Sequence, residues 1–321
     1  MNIWGFARAG ALAIAVAAIA MFDVAPAFAA EPVYDPQVGS RWTIETEARS
    51  EEVRPDGTAT SLIRTRGELT IEQKTADGFR ISYVQRDATV EGNARSVPLS
   101  RAYIKVLENV TIHASTDPSG KPLRIDNLDE AKVAMRDAAS GLTEQFDRRP
   151  ATRALFDQLM SELVEVDAGH AASVYIDALA VLAVAQNTGM KPGEFRQVTK
   201  PAENPLGGDA LKSTERFELV ASDAARLKFV NVTSVDTASM DEFMQSFARS
   251  LLAASGDSVT PDRVRQLVSS MVFSFDKRAE FEVEGGMTRK VAESSKTVFR
   301  GMEQNLIQTD ARTITLTPAA N

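Results

Sequence analysis

Residues 171–185 read Ala-Ala-Ser-Val-Tyr-Ile-Asp-Ala-Leu-Ala-Val-Leu-Ala-Val-Ala. Wound as an α-helix, this stretch is apolar around nearly its whole circumference, and a helix with no polar face has to be buried on every side. Crossing a bilayer takes roughly 20 residues, so the segment is too short to span, and Asp177 stands in its middle. It reads as the central helix of a water-soluble fold. A carboxylate in that setting is costly unless paired, and the expected remedies are an arginine partner, a contact with the wet edge of the sheet, or a shifted pKa.

The sequence around it has mostly strand character. Trp42 and Ile44 alternate with polar residues, as do Leu69 and Ile71, then Phe79, Ile81 and Tyr83, with Pro55-Asp56-Gly57 and Ala76-Asp77-Gly78 as turns between them. Connections this short cannot make parallel crossovers, so Arg41–Glu91 is expected to form an antiparallel meander. Residues 99–108 are ambiguous by period. Val110, Ile112 and Ala114 share one face of a hairpin whose loop is Thr116–Gly120. A capping box at Asn127 and Glu130 then opens three helices near 128–146, 151–166 and 170–187. Strands return near Phe195, at 211–221 and at 226–235. Ser239 with Glu242 starts a helix of about four turns, and Thr260-Pro261 starts another. Phe273, Phe275, Phe281 and Val283 lead into a two-residue turn at Gly285-Gly286, with strands near 287–300 and 304–317.

This order predicts an α+β fold, with a large, curved antiparallel sheet, half-barrel in form, wrapped around helices that come in two inserted blocks, 127–189 and 239–271. Residues 30–321 form a single domain. The likeness of Leu69–Val84 to Phe217–Val230, with Arg80–Val84 set against Arg226–Val230, suggests a faint internal duplication.

Residues 1–29 carry the layout of a cleaved export signal: Arg8, an apolar run from Ala9 to Phe22, and Ala27-Phe28-Ala29 before the cut. Removing them takes away Arg8 and Asp23 and leaves the net charge at −8. An acidic chain without a clustered basic run excludes nucleic acid as a partner. There is no cysteine, hence no disulfide framework and no lipidation at the cut, and stability has to come from a core. The expected location is the periplasm of a Gram-negative bacterium, with secretion as the alternative and no transmembrane segment after the signal is removed.

The chemistry-bearing patterns have ordinary explanations. His113 lies opposite the apolar side of its strand and His170 at a helix start, neither with ligands at metal spacing. Ser274-Phe275-Asp276-Lys277 spells S-x-x-K, but in strand period its ends face opposite sides, and the partner motifs are missing. Asp117, Asp126, Asp129 and Glu130 suit a turn and a helix start better than a calcium loop. No phosphate loop or dinucleotide motif occurs. No cofactor and no metal is expected, and the chain is read as non-enzymatic.

The plan of a long antiparallel sheet over helices in an exported chain resembles the half-barrel of periplasmic lipoprotein carriers. The resemblance covers element order and no specific residues, so it implies an architecture and no site. This chain is longer, and its helices come in two blocks. The expected function is an envelope binding or carrier protein that holds an apolar or lipid-like ligand between sheet and helices, with Tyr175, Asp177, Leu179 and Leu182 as ligand-binding candidates. A structural or assembly factor holding another envelope protein by a sheet edge is the alternative. An envelope hydrolase is the remote one. Trp42 is the one tryptophan outside the export signal.

Overall fold

The computed structural model describes residues 33–146, 150–202, 211–223, 226–256, 259–301 and 304–319. The expected export signal lies outside them.

Eleven strands appear among the described residues: β1 Arg41–Arg54, β2 Gly57–Thr75, β3 Gly78–Gly92, β4 Thr111–Thr116, β5 Pro122–Ile125, β6 Phe195–Ala202, β7 Leu211–Ser222, β8 Arg226–Val235, β9 Val272–Glu284, β10 Met287–Gly301 and β11 Gln304–Pro318. They form one antiparallel sheet in the order β5-β4-β3-β2-β1-β11-β10-β9-β8-β7-β6. Two meanders are thus joined through β1 and β11, and the sheet stays open, with β5 and β6 at its edges. The Gly285-Gly286 turn forms as expected. Both glycines hold positive φ, 59° and 79°, which lets Glu284 pair directly with Met287.

The helices are α1 Val97–Leu107, α2 Leu128–Leu142, α3 Pro150–Glu165, α4 Ala171–Tyr175, α5 Asp177–Ala183, α6 Thr237–Ser255 and α7 Pro261–Ser269, with a 3₁₀ turn at Thr143–Phe146. Three expectations need correction. Residues 97–107 are a helix, so helices enter at three places, not two. Pro98 in the first turn explains it, together with burial on two sides, Leu99, Ala102 and Val106 in the main cluster and Val97 and Ile104 in a smaller one. The segment near 170–187 is two short helices broken at Ile176, whose φ of −136° is not helical. Asn127 caps nothing with its side chain. It accepts from His113 N at 2.8 Å and donates to Thr111 O at 2.9 Å, tying the start of α2 to β4. Likewise α6 begins at Asp236, whose carboxylate accepts from Ser239 N, while Ser239 Oγ serves Lys212 N.

The inward positions of the sheet follow from the register. Ile44 on β1, Leu69 and Ile71 on β2, Ile81 on β3, Ile112 on β4, Phe229 on β8, Phe281 on β9, Val291 on β10 and Ile314 on β11 are all buried in one cluster with Ala171–Ala185. α4 packs on β5 and α5 on β10. A second cluster gathers Met244, Ala248 and Leu252 of α6, Val264 of α7, Met271 and Phe299 of β10. A third joins Val90 to Val97 and Ile104 of α1.

Both meanders are interrupted by helices after their third strand, α1 between β3 and β4 and α6–α7 between β8 and β9. The two look-alike segments fall in β2–β3 and β7–β8; the first pairing shifts register at Arg66/Gly67 and at Ile71/Gln73, the second at Leu219/Ala221. Those bulges match Ile81 with Phe229, two residues away from the match that the sequence suggests. The topology repeats; the residue-by-residue likeness does not.

Candidate functional site

Along β10 the inward side chains read Val291, Glu293, Ser295, Thr297, Phe299, and along β11 they read Ile314, Arg312, Asp310, Gln308, Leu306, paired rung by rung. The apolar ends belong to the first and second clusters. Between them lies a polar band on the inner face, where strand alternation alone would call for apolar residues. Within it Ser295 Oγ donates to Asp310 Oδ2 at 3.4 Å, and Gln308 Nε2 donates to the same oxygen at 3.0 Å.

Asp177 reaches this band from above. The break at Ile176 makes it the first residue of α5, where a carboxylate is favoured by the helix's own unbonded N–H groups. Its Oδ2 meets Arg312 Nη2 at 2.7 Å, and Arg312 Nη1 lies 3.8 Å from Glu293 Oε2. Side-chain exposures are 18% for Arg312, 28% for Asp177 and 16% for Glu293, so the cluster is half-wet. Burial works against the Arg312 charge, but Asp177 and then Glu293 outweigh it and hold the guanidinium more firmly protonated than usual.

Two phenols feel the same carboxylate. Burial pushes Tyr83 and Tyr103 well above the usual tyrosine range, with Asp177 adding to both and Arg312 opposing at Tyr83. They are neutral groups at ordinary pH. Tyr83 is held in place by Gly67 on β2, where a Cβ would lie 2.4 Å from the Tyr83 ring. The ring occupies the space that a side chain at Gly67 would take.

Of the four ligand-binding candidates, Tyr175 and Asp177 flank the break between α4 and α5. Tyr175 donates to Leu163 O at 2.8 Å, and burial raises its pKa to about 12. Leu179 and Leu182 are buried in the main cluster. Two surface grooves stand out, and neither is bordered by residues 171–185. One crosses the outer face of β6–β9, lined by Gln197, Arg216, Val220, Val230, Val232 and Arg278 among others, and the other lies at the start of β6. Most of the segment 171–185 is buried in the main cluster. Arg312 and Glu293 escaped the sequence reading, although each breaks the inward apolar alternation of its strand.

The ordinary readings of the other motifs fit the geometry. His113 Nδ1 lies 3.2 Å from Glu72 and His170 Nδ1 lies 2.7 Å from Asp167, both pairs largely exposed. Ser274 and Lys277 sit on opposite faces of β9. Asp117 Oδ1 accepts from Ser119 N, Ser119 Oγ and Lys121 N, closing its turn. Among the described residues no group of three His, Asp or Glu could hold a metal ion. No described helix is long and apolar enough to cross a membrane.

No family model and no curated protein matches the chain. Among solved structures it is similar to the transport unit of the autotransporter AIDA-I from Escherichia coli, at 9% identity over 90% of this chain and 93% of that one, with a TM-score of 0.26. An outer membrane channel from Pseudomonas putida F1 follows at 6% identity, over 91% of this chain and 100% of that one, with a TM-score of 0.19. Scores at this level are met by unrelated arrangements of long antiparallel strands, and nothing about this chain's role rests on them.

Proposed function

We propose that the protein is a non-enzymatic binding or carrier module of the bacterial envelope, in which a half-barrel sheet encloses α4–α5 and accepts an apolar or lipid-like group on its inner face. The observation that carries this reading is the reach of Gln186, just beyond α5. Its Nε2 donates to Ser119 O in the β4–β5 loop at 2.9 Å, and its Oε1 accepts from Thr288 N on β10 at 3.3 Å. β4 and β10 are five strand spacings apart, roughly 24 Å in a flat sheet. One amide side chain touches both, which supports a sheet that curls towards α5 at this end.

α4 and α5 cover part of the inner face beside α1, α2 and α3, and Asp177–Arg312 is an ion pair by which α5 meets the sheet. Ala171, Ala172, Ala178, Ala183 and Ala185 give this cover little side-chain bulk, so an acyl chain that displaces part of it meets the apolar faces of β1, β10 and β11. The envelope location rests on residues 1–29 alone. The test is native mass spectrometry of protein extracted gently from its host, with uptake of a fluorescent fatty acid. A bound mass or saturable uptake supports the carrier; the bare polypeptide mass together with no uptake rejects it.

The alternative, a factor that holds another envelope protein, is favoured by one observation. No described strand pairs with the outer side of β6, and both grooves adjoin that edge. Cross-linking in intact cells separates the two readings, since a carrier without a protein client yields no discrete adduct.

A further inference from the structure

Two consecutive residues at the rim of the inner face carry buried polar atoms without a hydrogen-bond partner, Thr288 Oγ1 and Arg289 Nη1. Buried orphans are rare in folded proteins, and each calls for an explanation, an absent ion or ligand being one. Both residues sit at a β-bulge. The β9–β10 register steps from Thr288 opposite Val283 to Lys290 opposite Glu282, leaving Arg289 with no rung partner, and bulges of this kind re-aim a side chain. Arg289 is aimed across β11: its guanidinium carbon lies 4.5 Å from the centre of the Trp42 ring on β1. No described carboxylate pairs with it. Arg312, on the neighbouring strand, has two.

The surroundings suit an anion. Burial pulls the Arg289 charge down, and Glu284 only partly restores it. Glu284 is itself engaged, 3.6 Å from Arg226. A guanidinium is the side chain best matched to a carboxylate or phosphate, and a partly dehydrated one gains most from receiving it. The indole beneath supports the planar cation, while its N–H donates to Ser40 Oγ at 3.2 Å. Gln186, bonded to Thr288 N, places the end of the α4–α5 cover beside the same point.

We propose that Arg289, set on its bulge over Trp42, takes the anionic headgroup of an amphiphile, a carboxylate or a phosphate monoester at the end of an acyl chain. This rests on the carrier reading and narrows it to charged lipids whose chain runs inward from the rim.

The experiment titrates oleate, oleyl phosphate and oleyl alcohol into the exported protein, reading affinity by calorimetry and contact by Trp42 emission, with Trp42→Phe identifying the signal. The anions should bind about tenfold or more tightly than the alcohol, the gain expected of one charge-assisted hydrogen-bonded contact. They should also change the emission, the tighter anion identifying the headgroup. Arg289→Gln should bring the anions to the level of the alcohol without altering alcohol binding, and Arg289→Lys should keep part of the preference. Equal binding of oleate, oleyl phosphate and alcohol by the wild type, or unchanged anion binding by a folded Arg289→Gln, overturns the headgroup site while leaving the carrier intact. Failure of the wild type to bind any of the three rejects both.

Discussion

Asp177 and Arg312 meet at 2.7 Å across the seam between α5 and β11, and by this contact the apolar segment 171–185 is fastened to the polar band of the sheet. Removing one member of a fully buried pair costs about 3–5 kcal/mol. Both side chains here retain some water contact, which reduces the cost. Asp177→Ala should therefore lower stability by about 2 kcal/mol, read as the shift in urea midpoint at constant m-value. A double-mutant cycle with Arg312→Met should give a coupling of at least about 0.5 kcal/mol. Additive single changes would show that the pair fastens nothing.

Gln186 should behave as a two-ended tie. Gln186→Ala leaves Ser119 O and Thr288 N without their partner, at about 1–3 kcal/mol for buried groups. Gln186→Glu still accepts from Thr288 N but no longer donates to Ser119 O, and it should fall between alanine and wild type. Hydrogen exchange would locate the loss: amides of the β4–β5 loop and of the β10 start should lose protection together. Loss at one end alone would contradict the tie.

How much of this was legible in the sequence depends on the range of the interaction. The meander, the Gly285-Gly286 hairpin and the Thr260-Pro261 helix start are written in period and turn chemistry over a few residues, and the structure has them where the pattern puts them. α1 was ambiguous because its apolar residues alternate locally, Leu99, Ala102 and Val106 packing in the main cluster and Val97 and Ile104 in a smaller one on the opposite side. The expected caps at Asn127 and Ser239 failed for a different reason: tertiary partners, His113 with Thr111 and Lys212, claim those side chains. Asp177's need for a partner or a wet edge was readable from its setting. Which partner was not, since Arg312 is far along the chain and becomes its neighbour only when β11 closes onto β1 and β10.

Gly67 should be intolerant of the smallest addition. Its buried position on β2 faces the Tyr83 ring, and the Cβ of alanine would sit 2.4 Å from a ring carbon. Gly67→Ala should cost about 1–3 kcal/mol, the range for overpacking a filled core. Replacing the ring in the same chain, as Gly67→Ala with Tyr83→Val, should recover part of the loss, whereas Tyr83→Phe in place of Tyr83→Val should recover none because the ring remains. Urea midpoints of the single and double variants decide it, and a Gly67→Ala variant as stable as wild type would mean that Tyr83 does not need that space.

The buried phenols set how stability ends at high pH. Burial, aided by Asp177, holds Tyr83 and Tyr103 above the usual tyrosine range, and burial takes Tyr175 to about 12. A phenol whose folded pKa is raised contributes fully below its unfolded value of about 10. As pH climbs past that value the unfolded chain ionises first, and the contribution drains away until the folded pKa is reached, which for Tyr175 is about 12. Their part of the stability should therefore be flat up to about pH 9 and fall from about pH 10, by as much as about 1.4 kcal/mol per pH unit for each phenol. Tyr103→Phe should make the fall shallower, and Tyr103→Phe with Tyr83→Phe shallower still, while leaving the slope near neutrality unchanged. Midpoints measured across that range, alongside tyrosinate absorbance, test this directly: equal alkaline slopes in wild type and the double variant would show that these hydroxyls are not held out of water by the helices above them.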